Sequence, residues 1–268
     1  MYSLKVICFR DWECDSMMPE DKPEAAWDIT KQLVESERGR GINVVLGGGR
    51  GSFTPAPGPK NVAWNCSRRD GVDLVNTWKN LHPEGKFVES KSELFKIKSE
   101  TENVLGKIRS LFHILSYLHF CFQGLFSWDH MPYDDQLYAQ DDTPSLVNMT
   151  SKALDLLMAR GKDKGFFLMV EGGRIDHANH YAMGTRALGE TLAMDRAVEE
   201  IVNRVKGEET LIIVTADHSH TLSVGGYPGR TADITGVVRG DSGWVMKADD
   251  GQPMSILRSV PPADTKSD

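Results

Sequence analysis

A chain of 268 residues, 40% of them hydrophobic, is long enough to bury a sizeable core as one large domain. Its formal net charge of -7 argues against nucleic acid as the main partner. Uninterrupted apolar runs of about 20 residues are absent, so no segment reads as a clear membrane span.

The opening Met1-Tyr2-Ser3-Leu4-Lys5-Val6-Ile7-Cys8 is broken by charge too soon to read as a secretion signal. Arg10-Asp11-Trp12-Glu13-Cys14-Asp15 follows, and by itself Arg10 reads as a surface arginine. Pro23 to Ser36 predicts a helix with Ala25, Ala26, Trp27, Ile29, Leu33 and Val34 mostly on one side. Ile42 to Leu46 predicts a short buried strand running into Gly47-Gly48-Gly49-Arg50. A glycine loop after a strand can cradle phosphate, but this one lacks the Walker spacing and reads as a tight structural turn.

Ser52 to Lys60 is a Pro/Gly loop, Arg69 to Val75 opens an amphipathic helix, and Ser90 to Phe95 predicts another short one. From Lys107 to Gln123 the composition changes to an aromatic-rich segment with no acidic residue, a poor membrane span at 17 residues. A further helix is expected from about Val147 to Ala159. Residues 237–268 end in a polar stretch, Pro261 to Asp268, that reads as a disordered tail and has no hydrophobic lipid-anchor signal. The four cysteines, Cys8, Cys14, Cys66 and Cys121, could form two bridges of unreadable connectivity. Asn65 and Asn148 head short glycosylation patterns that matter only in a secreted chain.

The chemistry concentrates in two runs. Val170-Glu171-Gly172-Gly173-Arg174-Ile175-Asp176-His177-Ala178-Asn179-His180 follows the apolar Phe166–Val170, and Thr215-Ala216-Asp217-His218-Ser219-His220 follows Leu211–Val214. Between them, Ala178 to Val205 reads as a helix, so the pattern is strand, helix, strand: a βαβ crossover with parallel strands. Ligands sit at the carboxyl ends of such strands, where Glu171, Asp217 and His218 fall. Asp176 and His180, four apart, share one face of a helical turn. Mixed imidazole and carboxylate ligands suit zinc, and a lone carboxylate such as Glu171 suits magnesium. An Asp-His pair after a strand is ordinarily a loop feature; two such clusters joined by one crossover put a metal site level with that reading.

Together with Gly225-Gly226-Tyr227-Pro228, these runs closely resemble the metal-dependent alkaline phosphatases of animals. The resemblance implies an α/β fold, a central mostly parallel sheet flanked by helices in a three-layer sandwich, here incomplete. It implies hydrolysis of small-molecule phosphate monoesters at a site with two Zn2+ and one Mg2+. Asp176 and His180 would hold the first zinc, Asp217 and His218 the second, and Glu171 the magnesium. Arg10 falls where the family's phosphate-binding arginine stands, and His177 and His220 would orient carboxylates or waters around the metals. Leu46-Gly47-Gly48-Gly49-Arg50 also has a family counterpart with no chemical role.

The resemblance covers roughly Arg10 to Leu105 and Gly124 to Gly236. The family's nucleophilic serine, its zinc–magnesium bridging aspartate and a further zinc histidine match nothing here. The expectation is therefore a single incomplete domain over residues 1–268, with no catalytic nucleophile, little or no activity, and exposed sheet edges. Relatives pass directly from the position of Gly106 to that of Gly124, which makes 107–123 a family-atypical insert. Codons for Gly106-Lys107 and for Phe120 to Gln123 include splice-like sequences, so a retained intron fits, as it does for residues 1–9. The family is extracellular, lipid-anchored at the plasma membrane, and homodimeric. Alternatives are another phosphate or sulfate ester hydrolase on the same scaffold, or a non-catalytic binding remnant.

Overall fold

The computed structural model describes residues 12–21, 26–55, 57–59, 66–98, 121–139, 142–161, 165–181, 183–220, 223–224, 230–239, 243–245 and 256–258. Arg10, Cys8, Asn65, residues 107–120, Gly225 to Pro228 and the end from 259 lie outside them. The chain divides into two compact units, the first holding Met1–Pro132, Asp141–Pro144 and Lys152–Phe167 and the second the remainder.

In the first unit, Asp28 accepts from the Lys31 N–H and starts α1 at Ile29–Glu35, later than the Pro23 start expected from periodicity. Ser36 caps α2, Glu37–Arg40, by accepting from the Gly39 N–H. Strand β1 is Val44–Gly47, and the glycine loop behind it is structural. The Gly49, Arg50 and Gly51 N–H groups bond to the carbonyls of Asp129, Ser127 and Trp128 at 2.8, 3.0 and 2.9 Å. Gly49 has φ 80°, and a Cβ on Gly48 would stand 2.4 Å from the Asp129 carbonyl oxygen.

Asp73 caps α3, Leu74–Leu81, and Ser90 caps α4, Lys91–Lys96, on either side of β2, Lys86–Val88. Strand β3, Phe122–Leu125, lies between the other two in the order β1-β3-β2, with both pairings parallel. Val44 and Lys86 both stand opposite Phe122. The final residues of the aromatic segment thus start the central strand, with Cys121, Phe122 and Gln123 all buried. Val34, Phe53, Leu74, Trp78, Cys121 and Leu125 form the core against this sheet.

Two devices lock the loops of this unit. Cys14 and Cys66 form a disulfide, and Asp15 accepts from the Arg69 and Asp70 N–H groups at 3.1 and 2.8 Å. The buried Arg68 guanidinium donates to Asp28 Oδ1 and Oδ2 at 3.2 and 3.1 Å, to Asp70 at 3.0 and 2.6 Å, and to the Ser52 carbonyl at 3.2 Å. Burial is the largest single influence and works against both charges in the Arg68–Asp70 pair. Their mutual hydrogen bonds, those from Arg68 to Asp28 and from the Val72 N–H to Asp70, and the attraction of opposite charges together outweigh it. Arg68 is therefore raised, and Asp70 is held below the usual carboxylate range.

Helix α5 is Leu146–Arg160. The second unit contains α6, Arg174–His180, α7, Gly184–Arg204, and a short antiparallel pair, β4 Ser223–Val224 with β5 Leu257–Arg258. The single helix expected from Ala178 to Val205 is interrupted: α6 ends at His180, α7 begins at Gly184, and the Met183 N–H reaches the Ala178 carbonyl at 2.8 Å. The expected strands at Phe166–Val170 and Leu211–Val214 do not form: among the described residues neither pairs with a neighbour. Phe167 is 86% exposed and Leu211 84%, because without a sheet neighbour nothing covers them.

Candidate metal centre

Helix α6 carries the centre. Ala178 is fully buried in a cluster with Tyr133 and Ala187, with Met183 against it. Residues two away on a helix are turned about 200°, so burying Ala178 turns Asp176 and His180 together to the opposite side. His180 Nε2 lies 3.4 Å from Asp176 Oδ2.

The segment Asp217–His220 brings its imidazoles to the same carboxylate. His218 Nε2 is 3.8 Å and His220 Nε2 4.0 Å from Asp176 Oδ1. The rings of His180 and His220 meet edge to face, with centroids 4.8 Å apart. One ligand atom each from Asp176, His180 and His220 falls within 4.8 Å of the others. His218 Nε2 also lies 3.4 Å from Asp217 Oδ2.

Two features fit this cluster to a cation. Asp176 Oδ1 is buried and has no hydrogen-bond partner, an arrangement that costs free energy unless something positive approaches it. The Ser219 carbonyl lies 3.0 Å from His218 Nδ1 and can only accept, so the proton sits on Nδ1. That leaves the Nε2 lone pair available, the form in which an imidazole binds metal.

The structure therefore gathers Asp176, His180, His218 and His220. Asp217 is attached through His218, with its own side chain 83% exposed. Glu171 is exposed and stands outside the three-residue group. His220, expected in an outer orienting role, has its ligand atom inside that group.

A neighbouring cluster had no assigned role in the sequence. Tyr133 is buried, with the Arg174 guanidinium carbon 3.7 Å and that of Arg186 4.8 Å from its ring centre. The Asp134 N–H donates to buried Glu190 at 2.5 Å, and burial pushes the Glu190 carboxyl up. Arg174 lies inside the motif and was visible as a charge beside two ligands; nothing in the sequence flags Tyr133, 41 residues upstream of it.

The sequence model of the family described as Alkaline phosphatase matches residues 6–256. The chain belongs to the alkaline phosphatase family. It is 34% identical to the membrane-bound alkaline phosphatase of Bombyx mori over 240 residues, covering 87% of this chain and 40% of that protein. Against the human tissue-nonspecific isozyme the identity is 37% over 238 residues, covering 85% and 41%. The chain thus spans about two-fifths of the length of these alkaline phosphatases. A cold-active alkaline phosphatase from the psychrophile Shewanella sp. matches at 25% identity and a TM-score of 0.49, over 74% of this chain and 38% of that one. Among the described residues, no helix is long and apolar enough to cross a membrane.

Proposed function

We propose that this chain carries the central part of an alkaline phosphatase site, which hydrolyses phosphate monoesters to an alcohol and inorganic phosphate. Asp176 and His180, with His220 in reach, would hold one zinc, Asp217 and His218 a second, and Glu171 a magnesium. The observation that supports this best is Asp176 Oδ1, buried without a donor while imidazole nitrogens converge on it. Bound there, the metals supply Lewis-acid activation of water and charge stabilisation at a phosphoryl oxygen.

The chain's own groups do the rest. The Asp176 carboxylate sets the negative charge of the site, and the Ser219 carbonyl holds His218 in the tautomer that offers Nε2. Arg10 would clamp two phosphate oxygens with its planar fork. A secreted, lipid-anchored, homodimeric setting follows from the same family reading, and the Cys14–Cys66 disulfide suits an oxidising compartment.

Zinc binding reads the cluster directly, without requiring turnover. Calorimetric titration with zinc should show saturable binding at micromolar metal, and Asp176→Asn should weaken it at least tenfold. Absence of binding at micromolar zinc would sink the proposal and favour a non-catalytic role.

A further inference from the structure

We infer that Arg174 is a positioning residue that fixes the tautomer of His177, so that this histidine serves the site as an N–H donor and is withheld from the metals. Arg174 Nη1 lies 3.1 Å from His177 Nδ1. A guanidinium has donors and no acceptor and does not lose its proton. The contact is therefore a hydrogen bond only if Nδ1 accepts, which puts the ring proton on Nε2. With its Nδ1 lone pair engaged and Nε2 protonated, neutral His177 has no nitrogen left to ligate a cation.

The placement on α6 gives this consequence. His177 follows Asp176 directly, about 100° further round the helix, and stands outside the group of ligand atoms from Asp176, His180 and His220. The restraint comes from Tyr133. Arg174 makes no ion pair among the described residues, and its Nε is buried without a partner. Its guanidinium instead lies 3.7 Å over the ring of Tyr133, a side chain only 4% exposed. Tyr133 is held in turn: its N–H donates to Gln136 at 3.2 Å, and the next N–H, of Asp134, donates to Glu190. Arg186, the other cation on the ring, is committed to Asp135 at 3.1 Å. Ring, guanidinium and imidazole form one chain of contacts ending beside the metal ligands.

The role of His177 rests on the proposed metal site, whereas the tautomer can be read without metal. Two-bond nitrogen–carbon-proton correlation spectra of the metal-free 268-residue chain, labelled at histidine, report which ring nitrogen carries the proton. The expected wild-type pattern for His177 is a single Nε2–H tautomer. Arg174→Met should replace it by a mixture of both tautomers, Tyr133→Leu should shift it the same way, and Tyr133→Phe, which keeps the ring, should leave it unchanged. An Nδ1–H pattern in the wild type, or an unaltered pattern in Arg174→Met, overturns the inference; the wild-type spectrum decides even if a variant misfolds. Zinc titration of the same sample separates the two readings. Nε2–H without zinc binding leaves the Arg174 role standing and removes the metal site, whereas zinc binding with Nδ1–H does the reverse.

Discussion

Replacing Arg68 with methionine should destabilise the first unit by about 3–5 kcal/mol. The side chains of Arg68 and Asp28 are 0% and 2% exposed, and the guanidinium satisfies both Asp28 oxygens in a parallel pair of bonds. Methionine keeps much of the volume but strands the Asp28 carboxylate in a site with little water. Losing Asp70 as a partner matters less, because that side chain is 32% exposed and can be hydrated. At roughly 2–4 °C per kcal/mol for a protein of this size, the midpoint should fall on the order of 10 °C. The informative comparison is Asp28→Asn combined with Arg68→Met. Asparagine still caps α1 through the Lys31 N–H and leaves no buried charge, so the double variant should recover about 2 kcal/mol. Urea unfolding followed by tryptophan fluorescence measures both. A cost below about 1 kcal/mol for Arg68→Met, or a double variant as unstable as the single one, would refute the argument that an uncompensated charge sets the penalty.

The same cluster gives an acid-side dependence. Asp70 is depressed in the folded state, so its contribution is fully present above the ordinary aspartate pKa of about 3.9 and is lost as pH falls through the folded value. The acid limb of a stability–pH curve should therefore flatten in Arg68→Met; an unchanged slope contradicts the pairing. Glu190 has the opposite sign: raised by burial, it makes the folded state lose stability as pH climbs from the ordinary glutamate range to the folded value. Glu190→Gln keeps an acceptor for the Asp134 N–H and should remove that decline, seen as a flatter thermal midpoint as pH rises above the ordinary glutamate value of about 4.3. Reducing Cys14–Cys66, whose sequence separation is 52, should cost about 4 kcal/mol in the chain-entropy limit, measured by urea midpoints with and without reductant.

Part of the local structure was legible from local patterns: Ser90 opens α4 and the apolar run at 42–46 holds β1, whereas α3 starts at Leu74 under the Asp73 cap and not at the expected Arg69. Helix α1 begins at Ile29 because the Asp28 side chain takes the Lys31 N–H, a signal that apolar periodicity alone overlooks. Strand β3 was hidden for another reason. Cys121 to Gln123 looks like the end of an aromatic segment, and only its parallel partners, 78 and 36 residues upstream in the register Val44↔Phe122 and Lys86↔Phe122, make it central. In the site, the Asp176–His180 spacing on a helix was readable from periodicity. The proximity of His220 to that pair was not, since it depends on how a second segment returns to α6.

Phe166–Val170 and Leu211–Val214 are apolar at nearly every position, the pattern of parallel strands covered on both faces. Yet Met169, Ile213 and Val214 are 75%, 75% and 62% exposed, and no described strand pairs with either run. The two halves of the centre therefore have unequal support. Asp176 and His180 are set by a helix pinned through buried Ala178, and His220 packs against them with its side chain 15% exposed, whereas the side chains of Asp217 and His218 are 83% and 57% exposed. Ligands already in place bind with less ordering cost than ligands that must be immobilised. Zinc should accordingly bind in two unequal steps, the tighter one at Asp176, His180 and His220. In a calorimetric titration, His180→Ala should abolish the first step and His218→Ala should spare it. Two steps of equal affinity, or loss of the tighter step in His218→Ala, would show that helix anchoring does not govern the site.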